Sequence, residues 1–431
     1  MLRAAPATTW TEERDPLWWC ALLAGLFLAL VWHRLGIPHK IYFDEVHYVP
    51  AARKLLAGVR ANPEHPMFAK EVLAAAIRLL GDYPQAWRVP SALLGAAGLF
   101  AFGRLVWFVS GRGLAALLAI VLVATDFAWF IQSRIAMLDM TMAALGMIGL
   151  WLAASAMRLP DQARPRLAGA GVALGLAVAS KWSVVPAGAF PGLVFAGWKA
   201  WDCRARFAWA RGGGPVPGVA LWEAALWLGA LPLAVYWLTF WPGFLWTKGA
   251  IPWSDPIGWH RYMLGLQDSV VKLHPYRSVW YQWMGDWRSI WYLYERVDGA
   301  QRGVVLIGNP VSMILGLPAV LWCLFATWRW RRWDMGAMSA LYLLSLAMWP
   351  LSGKPIQFYY HYLLPGTFLM GCLALTIEPL LKREDWWFWA APLVLAAILL
   401  AFGWFYPIIS AAELVKGPQA YADWMWLKSW R

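Results

Sequence analysis

The sequence predicts an all-α polytopic membrane protein, and three observations carry that expectation. Apolar residues fill 61% of the 431 positions and charged residues only 14%, against about 25% charged in soluble domains. Apolar runs recur from Leu17 to Ile409, most of them close to the ~20 residues that a helix needs to cross the hydrocarbon layer. Basic residues crowd into alternate short loops. Length alone would suggest about three soluble domains, but this much apolar surface cannot be buried in three small globules. Composition therefore excludes a soluble enzyme, a disordered chain and a disulfide scaffold.

Hydropathy gives eleven spans, near 17–35, 89–109, 114–131, 135–156, 167–180, 182–199, 219–241, 303–327, 336–350, 358–377 and 387–408. The pair 167–180 and 182–199 is short, with Lys181 between, and reads either as two spans or as one broken helix. Arg3 and Arg14 precede the first run as in a signal peptide, but Trp32-His33-Arg34 follow in place of small cleavage-site residues. The run is therefore read as an uncleaved first span. With the N-terminus in the cytoplasm, the short inner loops carry Arg112, Arg158, Arg164, Arg166, Lys199, Arg204, Arg206, Arg211, Arg329, Arg331, Arg332, Lys382 and Arg383. The short outer loops carry only Arg134, Lys181 and Lys354. Short-loop Lys and Arg set orientation, so the N-terminus is expected inside, and an odd span count puts the C-terminus outside. The net charge of +13 is read as inner-loop bias and lipid-phosphate contact. Nucleic acid is not expected as a partner, because no soluble basic domain is present to hold it.

Two long segments face outward, 36–88 and 242–302, and all seven histidines fall on that side. The four cysteines, Cys20, Cys203, Cys323 and Cys372, match no zinc or redox spacing. No metal and no cofactor are expected, since the histidines lack the spacing of a zinc helix motif.

The chemistry is read from the outward residues. Asp44 and Glu45 are adjacent carboxylates in an aromatic setting, Tyr42-Phe43-Asp44-Glu45-Val46-His47-Tyr48. Adjacent side chains diverge, so one is expected to face a reaction centre while the other orients or holds a substrate. A half-buried carboxylate can act as a general base; an ordinary solvated pair is the plainer alternative. Further on, His65-Pro66 opens a turn, and Pro66 can start a helix carrying Lys70 and Glu71, with a snorkelling lysine as the plain alternative. Asp126, Arg134, Asp139 and Lys181 lie close to membrane depth, where charge is costly. They either pair to hold the turn between spans three and four or, with Arg88 and Lys354, build a cationic site for a phosphate. Such a set suits transfer of a sugar from a lipid-linked phosphate to a hydroxyl. The phosphate leaves without needing protonation, cations steady its charge, and the hydroxyl needs one base.

These segments resemble the protein O-mannosyltransferases, the dolichyl- or polyprenyl-phosphate-mannose-dependent members of the GT-C superfamily. Phe43-Asp44-Glu45-Val46-His47-Tyr48 resembles that family's FDEVHF, and His65-Pro66-Met67-Phe68-Ala69-Lys70 its HPPLGK. Gln132-Ser133-Arg134 with Leu138-Asp139 is similar to SR…LD, with Asp126 at its start, and Ser180-Lys181-Trp182 is similar to VKW. His274-Pro275-Tyr276 through Trp291-Tyr292 to Glu295 resembles HPY…WYYYE. Ile307-Gly308-Asn309-Pro310 resembles LLGNP, and Tyr360-His361-Tyr362-Leu363-Leu364-Pro365 resembles YHYLP.

The matches run in family order from about 42 to 365. The resemblance implies a single GT-C domain over 1–431, with a catalytic loop at 36–88 and no MIR insertion in 242–302. It implies Asp44 as catalytic base with Glu45 as its acceptor-binding neighbour. Arg88, Arg134, Asp139, Lys181, His361 and Tyr362 would serve the donor phosphate or sugar, with His65, Lys70, Asp126 and His274 as further candidates. The implied donor is polyprenyl-phosphate-mannose and the implied acceptor a Ser or Thr hydroxyl of exported protein. The implied location is a bacterial inner membrane with the site on its outer face, and dimers occur in the family. Met67-Phe68-Ala69 departs from the family's PLG, and the short second loop leaves the acceptor open. Another sugar, or a lipid or glycan acceptor, is the nearest alternative. A transporter is the second alternative, disfavoured because transporters place their polar residues near the midplane.

Overall fold

The computed structural model describes residues 13–269 and 274–431; Arg3 and residues 270–273 of the second long segment lie outside the described residues. The chain is mostly helical. It opens with α1 (Leu17–Trp32), then an amphipathic pair, α2 (Glu45–Leu56) and α3 (Phe68–Leu80), which occupies the first long segment. There follow α4 (Pro84–Ser110), α5 (Gly113–Ala124), α6 (Phe127–Gln132), α7 (Leu138–Arg158), α8 (Ala163–Val178) and α9 (Val185–Cys203). Next come α10 (Leu221–Ala225) and α11 (Leu231–Leu238), joined without a break by a π-helical turn at Leu226–Ala230. The second long segment holds α12 (Trp241–Phe244), α13 (Pro256–Asp268), α14 (Trp280–Met284) and a hairpin, β1 (Ile290–Val297) with β2 (Ala300–Leu306). The chain closes with α15 (Pro310–Trp330), α16 (Trp333–Leu351), α17 (Leu363–Ile377) and α18 (Ala390–Ile409).

A helix lies in each of the eleven expected apolar stretches. Lys181 does separate two helices, α8 and α9, rather than interrupting one. By length and composition, six helical segments among the described residues are apolar enough to cross a membrane: 84–110, 138–158, 221–238, 310–330, 359–382 and 386–409. Leu17–Trp32 and Gly113–Ala124 are apolar but shorter. Large apolar side chains stand exposed on the outside, among them Leu321 and Leu400. Such a surface suits a lipid solvent, and the chain is an integral membrane protein.

Local chemistry sets the helix ends. Pro84 and Pro310 occupy first-turn positions, where the missing N–H costs nothing. Gly111, at φ 71°, ends α4 in the left-handed region that favours glycine. Asn309 caps α15 by accepting from Val311 N at 3.2 Å, and its Nδ2 donates to Thr125 O (3.2 Å) and Ile398 O (3.1 Å). The cap thus ties α15 to the end of α5 and to α18. Helices α4 and α7 approach closely: a Cβ added at Gly98 would lie 2.8 Å from Ala144 Cα.

The hairpin corrects the expectation of a purely helical chain, and it delays the eighth span from 303 to Pro310. Val297 pairs with Ala300 around Asp298 (φ 50°) and Gly299 (φ 77°). That is the Asp-Gly two-residue turn whose twist matches paired strands. The segment after α18 packs on this hairpin. Leu414 N donates to Gln301 O (2.9 Å), Ser289 Oγ and Trp291 Nε1 donate to Trp430 O (2.8 and 2.9 Å), and Trp430 Nε1 donates to Asp286 O (2.6 Å). Glu13 instead accepts from Gly113 N (2.6 Å) and Lys382 Nζ (2.9 Å), between α5 and the α17–α18 connection.

Gly98→Leu should lower thermal stability in detergent by about 1–3 kcal/mol, as overpacking does, since backbone rather than a movable side chain fills the space. Scanning fluorimetry with an unchanged Tm would contradict the close α4–α7 contact.

Candidate active site

The site begins where the chain reverses after α1. Phe43 sits at φ 48°, a left-handed conformation that costs a non-glycine residue about 1–2 kcal/mol. Its ring stacks on Tyr292 of β1, with centroids 3.7 Å apart and planes 14° from parallel. Gln132 Nε2 donates to the Tyr292 hydroxyl at 2.9 Å. The strained residue is therefore clamped between the hairpin and α6. From it the next two carboxylates diverge.

Glu45 turns inward and is fully buried. Oε1 accepts from Arg88 Nε (2.8 Å) and Ala136 N (3.0 Å), and Oε2 from Arg88 Nη2 (3.0 Å) and Tyr42 N (3.3 Å). Arg88 spends its other donors on Leu35 O (3.2 Å), Pro38 O (3.0 Å) and Lys40 O (2.9 Å). All five guanidinium donors are used within the protein, so none remains for a phosphate. The sequence expects Glu45 at the acceptor and Arg88 at the donor; in the structure each is engaged by the other and by backbone groups.

Other expected residues also have structural work. Arg134 donates to Val31 O (2.6 Å), His33 O (2.8 Å) and Arg34 O (3.2 Å), satisfying the carbonyls left open at the end of α1. Asp126 is buried as the cap of α6, accepting from Trp129 N at 3.2 Å. Lys70 is buried and donates to Asn62 O and to His65 O (2.7 Å), holding the α2–α3 loop; burial pushes its ammonium down to about 7. The Tyr362 hydroxyl pairs with that of Tyr342 at 3.0 Å, and its ring packs toward Trp283.

Asp44 is half-buried, and among the described residues no hydrogen bond engages its carboxylate. Burial pushes it up to about 6, against the pull of His47, Lys181 and Lys354 and with the push of Asp139. Lys181 and Asp139 form a buried pair at 2.7 Å, and the Lys181 ammonium lies 4.9 Å from the Tyr360 ring centroid. Lys354 makes no ion pair among the described residues. Burial and the like charge of Lys181 bring it down to about 8, while Asp139 and Asp44 oppose that shift. His65, whose ring is 6.4 Å from that of Tyr48, is held well below its ordinary range by burial and by Lys181, Lys354 and Lys70. His274 stands further out, its ring edge-on to Phe358 at 5.1 Å.

A cavity adjoins this cluster, lined by Asp139, Ser183, Ser345, Trp349, Tyr360 and His361 together with apolar side chains. The His361 ring stacks on Trp349 at 3.9 Å. The structure thus brings Asp44, Asp139, Lys181, Lys354 and His361 together, and it adds Ser345. Ser345 and Trp349 went unmarked in the sequence because they sit inside an apolar span. Their spacing of four puts both on one helix face, which was the available signal.

Comparison with known proteins follows the same line. Residues 85–247 match the family described as dolichyl-phosphate-mannose-protein mannosyltransferase. A polyprenol-phosphate-mannose–protein mannosyltransferase of Mycolicibacterium smegmatis is 27% identical over 90% of this chain and 87% of its own. The Saccharomyces cerevisiae protein O-mannosyltransferase Pmt1–Pmt2 complex, solved with its sugar donor, superposes with a TM-score of 0.79 at 14% identity, over 97% of this chain and 93% of that one. ArnT from Cupriavidus metallidurans bound to undecaprenyl phosphate gives 0.55 at 13% identity, covering 94% and 77%. The fold is that of the GT-C glycosyltransferases.

Arg88→Ala leaves Glu45 buried and unpaired and should cost about 3–5 kcal/mol of stability. Arg88→Lys should recover little of it, because an ammonium has three donors for five acceptors. Denaturation of the purified variants measures both, and a lysine variant as stable as wild type would contradict the assignment.

Proposed function

We infer that this chain belongs to the protein O-mannosyltransferase family and moves mannose from polyprenyl-phosphate-mannose to a Ser or Thr hydroxyl of an exported protein. The motif series from Phe43 to Pro365, the matched residues 85–247 and the named relatives support the reading. The observation that carries it is the Asp44 carboxylate, unengaged, raised to about 6 and set beside Lys181 and Lys354.

The chemistry follows from that arrangement. The acceptor oxygen attacks the anomeric carbon while Asp44 takes its proton, and the bond from that carbon to the phosphate oxygen breaks. The polyprenyl phosphate leaves with the electron pair, and its charge is met by Lys354 and by Lys181. Asp139 holds Lys181 in place. One displacement with one base inverts the anomeric centre, unlike the two carboxylates of a glycosidase. The base need not be strong, because its proton transfer accompanies carbon–oxygen bond formation.

We read the eleven helical stretches as crossing segments, with the N-terminus cytoplasmic and the two long segments on the outer face of a bacterial inner membrane. The contacts of Glu13 near the basic loops, and of residues 414–430 with the second long segment, support that orientation. A paired assembly is expected on the precedent of the yeast complex. A lipid or glycan acceptor and a transporter are both less favoured, because the named relatives are protein mannosyltransferases and the polar groups gather at one cavity.

Asp44→Asn should abolish mannose transfer from labelled polyprenyl-phosphate-mannose in proteoliposomes while donor binding survives; near-wild-type turnover would sink the base assignment. For wild type, kcat/KM should rise with pH through about 6, as Asp44 loses its proton. It should fall through about 8, as Lys354 loses its charge. Lys354→Ala should remove the alkaline limb and lower the plateau; an unchanged limb would exclude Lys354.

A further inference from the structure

We propose that Ser345 reads one ring hydroxyl of the transferred sugar and so sets donor specificity; the proposal rests on the transferase reading above. Ser345 lies on α16 and is 2% exposed, yet among the described residues its Oγ has no hydrogen-bond partner. Buried hydroxyls on helices usually bond to a carbonyl one turn back. Ser133 donates to Trp129 O (2.7 Å), Ser180 to Leu176 O (2.8 Å), Ser339 to Met335 O (2.9 Å) and Thr367 to Leu363 O (2.8 Å). Ser345 does none of this and lines the cavity beside the Asp139–Lys181 pair. A buried polar atom left unpaired costs stability, and such an atom persists where a ligand completes it.

Two more atoms on the same cavity are in the same condition. Asp139 gives Oδ1 to Lys181 and leaves Oδ2 without a partner among the described residues. His361 accepts from Phe358 N at Nδ1 (3.1 Å), so its neutral ring carries the proton on Nε2, which also has no partner among the described residues. The cavity therefore offers one carboxylate acceptor, one N–H donor and one hydroxyl able to act either way. An anion would be repelled by Asp139, and an apolar group would leave all three unmet. A neutral ring bearing adjacent hydroxyls satisfies the set. The phosphate then falls to Lys354 and Lys181, and the sugar to Ser345, Asp139 and His361. Ser345 is the member of this set with no other duty in the protein, since Asp139 holds Lys181 and His361 caps its own turn.

The test uses the full-length protein in proteoliposomes, with polyprenyl-phosphate-mannose and its 2-, 3-, 4- and 6-deoxy analogues as donors. Ser345→Ala should lower kcat/KM for the natural donor about tenfold to a hundredfold, as expected where a site built for a hydroxyl loses its partner. It should also erase the penalty that wild type imposes on one analogue, while the penalties on the other three stay as they are. Ser345→Thr, which keeps the hydroxyl, should retain that penalty. Thermal stability of Ser345→Ala should be equal to or above wild type, whereas a structural hydroxyl would lower it. An unaltered kcat/KM and an unaltered analogue profile in Ser345→Ala would overturn the proposal alone. A wild type that transfers mannose to no protein, lipid or glycan fraction would overturn the transferase reading and Ser345 with it.

Discussion

The buried pair between Glu45 and Arg88 is the contact on which the first long segment depends. It joins the start of α2 to the start of α4, and its remaining hydrogen bonds reach Leu35, Pro38 and Lys40 on one side and Ala136 on the other. Isolated charges are expensive to bury, and a pair is tolerated when every donor and acceptor is met. Here they are met. The pair fixes the direction of α2, and with it the direction of the residue one position earlier. Asp44 can therefore stay unengaged without becoming loose.

The same division of labour runs through the cations. Sequence places several of them at one membrane face and cannot say which are spent. Arg134 closes the end of α1, Lys70 closes a loop, and Arg88 is saturated. Lys181 is shared with Asp139, and Lys354 alone among those considered has an ammonium that makes neither an ion pair nor a hydrogen bond within the described residues. Arginine suits the structural posts because its planar fork meets several carbonyls at once. Lysine suits the site because its single charge can be shifted by its surroundings.

Much of this was legible in the sequence, and the limits have physical causes. The eleven helical stretches and the separation of α8 from α9 follow from hydropathy and from one lysine between two short runs. The hairpin was legible too, in Val297-Asp298-Gly299-Ala300 between alternating aromatic and aliphatic residues, but its apolar second strand merges with the span that follows. Asp44 was identified as one of two, and divergence of neighbours was foreseen; which one faces inward depended on Arg88, forty-three positions away. Ser345 could not be singled out, because a lone hydroxyl in an apolar helix normally bonds to its own backbone.

The packing of residues 414–430 on the hairpin also governs the order of assembly. Tyr292, which clamps Phe43 beside Asp44, sits in a strand whose neighbours Ser289 and Trp291 donate to Trp430. Trp430 is made after every helix, including α18. Asp44 is therefore made long before the contact that steadies the strand beside it. A chain that stops short of Trp430 keeps Asp44 and loses the two hydrogen bonds that hold the strand behind Phe43.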